Sequence, residues 1–176
     1  MKWKKFLTLN AFMDYWYSRS YLRRSLSEVL NISPLEIPLK ADPGKAPLLE
    51  SNNGYLSISH TNENIFFAWA PSRIGIDIER QDRIFDARQI SKRFFKKSEK
   101  IELDKVDQFS FKREVLKYWI VKEASYKWQQ SNKKSDFLNW EWVQSSNFSV
   151  NKNLFLKVKT YLYEYGDHFL GIAYND

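Results

Sequence analysis

The sequence predicts an α+β fold in which two similar α/β halves pack together as a pseudo-dimer. Three observations favour this class. Predicted helices alternate with groups of predicted strands, no glycine- or serine-rich linker divides the chain, and no low-complexity segment interrupts it. We place the two halves at residues 1–86 and 87–176 and expect them to form one compact unit.

The N-terminal half is predicted to contain one helix followed by three strands. Residues 14–31 repeat leucines at helical spacing on one side and carry arginines on the other. Four of the five prolines then fall between Pro34 and Pro47, which indicates a loop. Strands are expected at Tyr55–His60, Ile65–Ala70 and Ile74–Glu79, each bounded by turn-forming residues.

The C-terminal half is predicted to continue with helices and to end in strands. Residues 87–104 form a charged helical region, and Phe109–Gln130 repeats apolar residues at the spacing of an amphipathic helix. Two final strands are expected at Leu154–Tyr163 and His168–Tyr174, on either side of a Gly-Asp turn.

Composition narrows the possible functions. The chain has 176 residues, of which 43% are hydrophobic and 17% aromatic, enough to bury a sizeable core. It has no cysteine, which excludes disulfides, thiolate metal sites and cysteine nucleophiles. The net charge of +7 favours an anionic partner: nucleic acid, a phosphorylated cofactor or an acidic protein. No run has the length of a membrane span and residues 1–13 lack a signal cleavage site, so we expect a cytoplasmic protein.

The segment Ile74–Glu79 carries two acidic residues in strict alternation with isoleucines. Because strand side chains alternate between faces, Gly75, Asp77 and Glu79 share one face. Two carboxylates about 7 Å apart along a strand can converge on Mg²⁺, which takes oxygen ligands. We expect Gly75 to leave room for a ligand beside them. The alternative is a half-exposed strand with a solvated acidic face.

The inner row of the long helix turns polar towards its end. Phe111, Val115 and Trp119 recur every four residues, and the next two members of the row are Glu123 and Lys127. A carboxylate and an ammonium group at the margin of an apolar stripe need partners. They could form a simple i,i+4 pair, or they could bind a metal and a phosphate.

Three further residues are candidates whose ordinary interpretation is structural. His60 lies at the end of a predicted strand, Lys45 lies on the turn after Gly44, and Arg19 lies on the basic side of the first helix. A histidine at a strand end is commonly structural, and the two cations could be surface charges.

Four stretches together resemble the 4′-phosphopantetheinyl transferase superfamily, in particular its larger single-chain type that activates surfactin synthetase. Their order matches that of the family, and so does the separation of Asp77 and Glu123. Two departures remain: Ile120 stands where the family usually has a small polar residue, and Ala46 is inserted in the family's Gly-Lys-Pro segment, which is Gly44–Pro47 here. The stretches are Ser57–Thr61 (the Ser-His-Ser segment), Ile74–Glu79 (the metal motif), Lys92–Phe95 with Glu99, and Trp119–Lys127 (the Trp-x-x-Lys-Glu-Ala-x-x-Lys helix).

The resemblance implies a holo-[acyl-carrier-protein] synthase, an Mg²⁺-dependent enzyme of the phosphotransferase class. It would move 4′-phosphopantetheine from coenzyme A to a serine of an apo acyl or peptidyl carrier protein and release 3′,5′-ADP. The implied roles are Mg²⁺ binding by Asp77, Glu79 and Glu123; catalysis by Glu123, Lys127 and His60; coenzyme A binding by Ser59; phosphate contacts by His60, Lys122 and Lys127; and 3′-phosphate binding by Arg19 and Lys45. Whether Glu123 acts as base directly or through a water stays open.

The resemblance also implies an acidic carrier protein as partner, a functional monomer, and neither a nucleic-acid nor a membrane partner. A second class stays open on composition, namely a basic nucleic-acid-binding module whose aromatic side chains stack on bases. A family member that has lost activity is the third possibility, although every acidic position of the motifs is present.

Overall fold

The computed structural model describes residues 9–40, 47–50, 52–61, 64–130 and 134–175. Lys45 and the turn that carries it therefore lie outside the described residues. In chain order the elements are α1 (Leu9–Leu30), β1 (Leu39–Lys40), β2 (Leu48–Leu49), β3 (Tyr55–His60), β4 (Ile65–Ala70), β5 (Ile74–Arg80), α2 (Ala87–Phe94), α3 (Lys97–Leu103), α4 (Gln108–Gln129), α5 (Lys134–Phe137), β6 (Trp140–Val143), β7 (Phe148–Asn151), β8 (Leu156–Tyr165) and β9 (His168–Tyr174).

The strands form antiparallel sheets. A five-stranded sheet has the order β5-β9-β8-β7-β6, while β3 and β4 form a hairpin and β1 and β2 a short pair. The register sets Asp77 of β5 opposite Gly171 of β9. These features confirm an α+β fold with antiparallel sheets. The division into halves at residue 86 and their pseudo-dimeric arrangement stay predictions.

Most predicted elements are confirmed with small shifts at their ends. The strands β3 and β4 have the predicted bounds, and β5 continues one residue further to Arg80. The charged helical region 87–104 is two helices, because the backbone turns extended at Phe95 and Lys96. Asp107 begins α4 by accepting hydrogen bonds from the backbone N–H groups of Phe109 and Ser110.

The long helix α4 lies against β5 and β9 at two glycines. A Cβ on Gly75 would stand 2.0 Å from the backbone oxygen of Ala124 and 2.4 Å from the backbone nitrogen of Trp128. A Cβ on Gly171 would stand 2.7 Å from the Ile120 side chain. The expectation that Gly75 leaves room for a ligand is therefore wrong: the missing side chain makes room for the helix backbone.

The β3–β4 hairpin joins the large sheet through serine side chains. The backbone nitrogen of Ile76 donates to Ser57 Oγ (2.9 Å), and that of Ile78 donates to Ser59 Oγ (3.2 Å). Two hydroxyl groups thus act as the acceptors that strand carbonyls supply elsewhere in the sheet.

The helix α1 covers the hairpin and holds the loop that follows it. Leu22 and Leu26 are buried with Ile37 and Leu56 in one apolar cluster. Arg23, on the basic side of the helix, donates to the backbone oxygens of Pro34, Ile37 and Leu39 at 3.3, 2.6 and 3.3 Å. Within the described residues, no helix is both long and apolar enough to cross a membrane.

We predict that Gly75→Ala strongly destabilises the protein, since the new methyl group would collide with helix backbone rather than with a flexible side chain. Overpacking of this kind should lower the free energy of unfolding by about 3 kcal/mol or more. Urea unfolding followed by tryptophan fluorescence measures the loss. A suitable control is Gly166→Asn, because Gly166 has a φ of +57° that asparagine tolerates, and nothing lies within 4 Å of its Cβ position. Equal stabilities of the two variants would contradict the close approach.

Candidate functional site

Acidic and basic side chains meet where α4 crosses β5. Asp77 is only 6% exposed, and its Oδ1 accepts hydrogen bonds from Ser59 Oγ (2.7 Å) and from Lys127 Nζ (2.8 Å). Asp77 Oδ2 is also buried but has no hydrogen-bond partner among the described residues. One oxygen of this carboxylate is therefore fully engaged, while the other is a buried acceptor whose hydrogen-bonding capacity no described residue satisfies.

The second carboxylate of the strand, Glu79, forms an ion pair with Arg83. Burial raises the pKa of Glu79, and the nearby negative charge of Asp77 acts in the same direction, whereas Arg83 opposes both. Sequence analysis missed Arg83. Four-residue spacing usually indicates a helical pair, but here it joins the strand β5 to the loop that follows it.

Glu123 enters the site from α4. The pKa of Glu123 is raised from 4.5 to about 7, mainly by burial and next by the charge of Asp77, while Lys127 acts in the opposite direction. The charge of Glu79 also raises this pKa. The three carboxylates thus lie close enough to repel one another, and near neutral pH Glu123 can both hold and release a proton.

The chemistry of these donors fits a hard divalent cation. Carboxylate oxygens are the ligands that Mg²⁺ prefers. Asp77 Oδ2, which has no partner among the described residues, is a candidate ligand atom. Within the described parts of the chain, however, no three His, Cys, Asp or Glu side chains are grouped so that they could hold a metal by themselves. Mg²⁺ commonly takes one or two carboxylates and completes its shell with substrate phosphates and water, so this arrangement suits a substrate-completed site.

The remaining predicted residues are not all brought to this point. His60 is exposed at the end of β3, and its side chain makes no hydrogen bond with any described residue. Ser59 is 4% exposed with its hydroxyl on Asp77, so it has no surface to offer a ligand. Arg19 lies half-buried on α1 and is engaged with its neighbours. Lys45 lies outside the described residues.

Lys122 is placed in the core instead of the site. Its side chain and that of Glu99 are fully buried, with Nζ 2.8 Å from Glu99 Oε2 and a second hydrogen bond to the backbone oxygen of Trp140. Glu99 also accepts from the backbone nitrogens of Lys96 (2.7 Å) and Trp142 (3.0 Å). In this structure the ammonium group has no surface open to a phosphate, and its role is to hold α3, α4 and β6 together.

Comparison with protein families places the site in a known context. The family model of the 4′-phosphopantetheinyl transferase superfamily matches residues 73–173, more than half of the chain. The matched region contains β5 and α4 and therefore Asp77, Glu79, Glu123 and Lys127. No curated protein matches the chain.

We predict that Lys122→Met lowers the free energy of unfolding by about 3–5 kcal/mol, because it leaves Glu99 buried without its cation. Urea unfolding measures the loss. Lys105→Met is the matched control: Lys105 pairs with Glu102 at the surface, and such pairs are worth less than about 1 kcal/mol. Adding Glu99→Gln to Lys122→Met should recover part of the loss. Unchanged stability of Lys122→Met would show that the pair does not hold the core.

We predict that the metal-free protein loses stability as the pH rises through 7, in part because of Glu123. Its pKa is about 7 in the folded protein and 4.5 ordinarily, so the folded state binds the proton more tightly. The contribution is complete below pH 4.5 and is lost above 7. Glu123→Gln should therefore be more stable than the wild type at pH 8 in EDTA, by at most about 3 kcal/mol.

The measurement is the urea midpoint between pH 4.5 and 8. The exposed Glu102→Gln should keep the wild-type slope. A Glu123→Gln profile parallel to that of the wild type would show that Glu123 does not titrate in this range.

Proposed function

The chain belongs to the 4′-phosphopantetheinyl transferase superfamily, and from that membership we propose that it moves 4′-phosphopantetheine from coenzyme A to a serine of an apo carrier protein. The proposal extends to Mg²⁺ dependence and to the larger single-chain, holo-[acyl-carrier-protein] synthase type. The observation that carries it is the junction of β5 and α4 inside the region that the family matches, where Lys127 contacts Asp77 and the charges of Asp77 and Glu79 act on Glu123.

Asp77, Glu79 and Glu123 are the residues that would hold Mg²⁺ in this proposal. When bound, the cation neutralises the charge that develops on the diphosphate. Both Asp77 and Glu79 have cationic partners in the free protein, Lys127 and Arg83. These basic side chains are free to turn to phosphate oxygens once the carboxylates have another counter-charge, so the site exchanges ion-pair partners on loading.

Glu123 is the proposed base. A serine hydroxyl is a weak nucleophile and needs a proton acceptor, and burial has brought the pKa of Glu123 close to neutrality. The serine proton passes to Glu123, the serine oxygen bonds to the β-phosphorus of coenzyme A, and the bond from that phosphorus to the bridging oxygen breaks. The product 3′,5′-ADP leaves with the electron pair of the broken bond.

Lys127 is the proposed phosphate contact on the helix, since its side chain is 27% exposed and already lies beside Asp77. His60 is exposed at the end of β3 and could contact a phosphate from the hairpin side. Arg19 and Lys45 stay proposed ligands of the 3′-phosphate. The net charge of +7 would steer an acidic carrier protein to this surface. Because the proposed ligands come from one chain, we expect the monomer to be active.

We predict that Asp77→Asn lowers the transfer rate by about 100-fold or more, since it removes a charge that the loaded site needs. The assay uses purified protein, coenzyme A, Mg²⁺ and a panel of apo carrier proteins, and reads the mass increase of each carrier. Asp82→Asn is the control, because Asp82 lies just beyond the same strand but is exposed and paired with Arg80.

Excess EDTA should abolish transfer by the wild type. Full transfer in EDTA, or by Asp77→Asn, would contradict the metal site. If no carrier gains mass but the protein is retained on heparin and not on a coenzyme A resin, the nucleic-acid-binding alternative is favoured.

A further inference from the structure

The two oxygens of the Asp77 carboxylate have different surroundings. Oδ1 accepts two hydrogen bonds, one from Ser59 and one from Lys127, whereas Oδ2 is buried with no partner among the described residues. The carboxylate would lose this asymmetry if it rotated about its Cβ–Cγ bond. Some group must therefore fix its plane.

Ser59 has the geometry of such a group. Its hydroxyl accepts from the backbone nitrogen of Ile78 at 3.2 Å and donates to Asp77 Oδ1 at 2.7 Å. Since the hydroxyl has one proton, the bond from Ile78 leaves that proton for the carboxylate. The side chain is short, only 4% exposed and anchored to the same strand that carries Asp77.

Lys127 is less suited to this task, although it contacts the same oxygen. Its side chain is long and 27% exposed, and the proposed function requires its ammonium group to turn towards a phosphate. When Lys127 leaves, Ser59 is the only described residue that still donates a side-chain hydrogen bond to Oδ1.

We propose that Ser59 is a positioning residue, and not a contact of coenzyme A: it fixes the Asp77 carboxylate so that Oδ2 stays directed to the divalent cation while Lys127 changes partners. The proposal rests on the proposed function, because it takes Asp77 as a ligand of the cation. It replaces the coenzyme A contact that the family resemblance implied for Ser59, since the buried hydroxyl is already used by two protein groups.

The neighbouring Ser57 provides a matched control. It lies two residues earlier on β3, is 6% exposed, and its Oγ accepts from the backbone nitrogen of Ile76 at 2.9 Å. Both serines thus join β3 to β5 by the same kind of hydrogen bond, but of the two only Ser59 donates a hydrogen bond to Asp77. Replacing either one costs the strand junction, and replacing Ser59 also releases the carboxylate.

The test measures binding of Mn²⁺, which takes the same oxygen ligands as Mg²⁺, by loss of the free-ion signal in electron paramagnetic resonance. Protein is titrated with and without coenzyme A, in the absence of a carrier. Ser59→Ala should weaken Mn²⁺ binding about tenfold or more, and Ser57→Ala by less than about twofold. Urea midpoints of both variants should fall by similar amounts. Ser59→Thr, which keeps the hydroxyl group, should recover most of the affinity.

The outcomes distinguish failure of the metal site from failure of the role given to Ser59. If the wild type binds no Mn²⁺ under either condition, the metal site of the proposed function and this inference both fail. If the wild type binds Mn²⁺ and both alanine variants lose affinity equally, only the role of Ser59 fails. Should Ser59→Ala not fold, Ser59→Cys takes its place, since a thiol has nearly the same size but is a weak donor.

Discussion

The close approach of α4 to β5 and β9 is the constraint on which the rest of the structure depends. Gly75 and Gly171 lie on adjoining strands. The helix backbone occupies the space where a Gly75 side chain would be, and the Ile120 side chain lies 2.7 Å from the Cβ position of Gly171. This contact brings the last turns of the helix within reach of the strand's carboxylates. A side chain at either glycine would push the helix away from the sheet, and with it Glu123 and Lys127 away from Asp77.

Because of this placement, the adjacent helix residues Lys122 and Glu123 have opposite electrostatic surroundings. Lys122 points into the core, where a complete set of partners around Glu99 makes full burial of an ion pair tolerable. Glu123 points to the strand β5, where it lies near the carboxylate of Asp77 and forms no ion pair with a described cation. The first arrangement is saturated and stable, whereas the second stores electrostatic repulsion that a bound cation would relieve. Lys122 therefore stabilises the fold, whereas the next residue, Glu123, belongs to the candidate site.

The elements that could be predicted from sequence were those with a long periodic signal. The alternation of Ile74–Glu79 and the apolar rows of α4 predicted these two elements, whereas only the family resemblance implied that they meet at one site. The strands β6 and β7 were missed because four residues each, such as Trp140–Val143, are too few to establish a period. Within the site, the charged residues could be predicted, but the direction in which each side chain points could not. Lys122 and Lys127 were both expected to contact a phosphate. Only the packing of α3 and β6 decides that Lys122 lies in the core.

The junction between the hairpin and the large sheet bears on how the molecule comes apart. Backbone pairing runs unbroken from β5 to β6, whereas β3 is joined to β5 through the side chains of Ser57 and Ser59. The hairpin with α1 and the five-stranded sheet with α4 therefore resemble two cooperative units, and the weaker boundary between them should open at a lower free energy than either unit melts. Amide hydrogen exchange would begin at Ile76 and Ile78, and each such opening would wet the carboxylate that the site keeps dry.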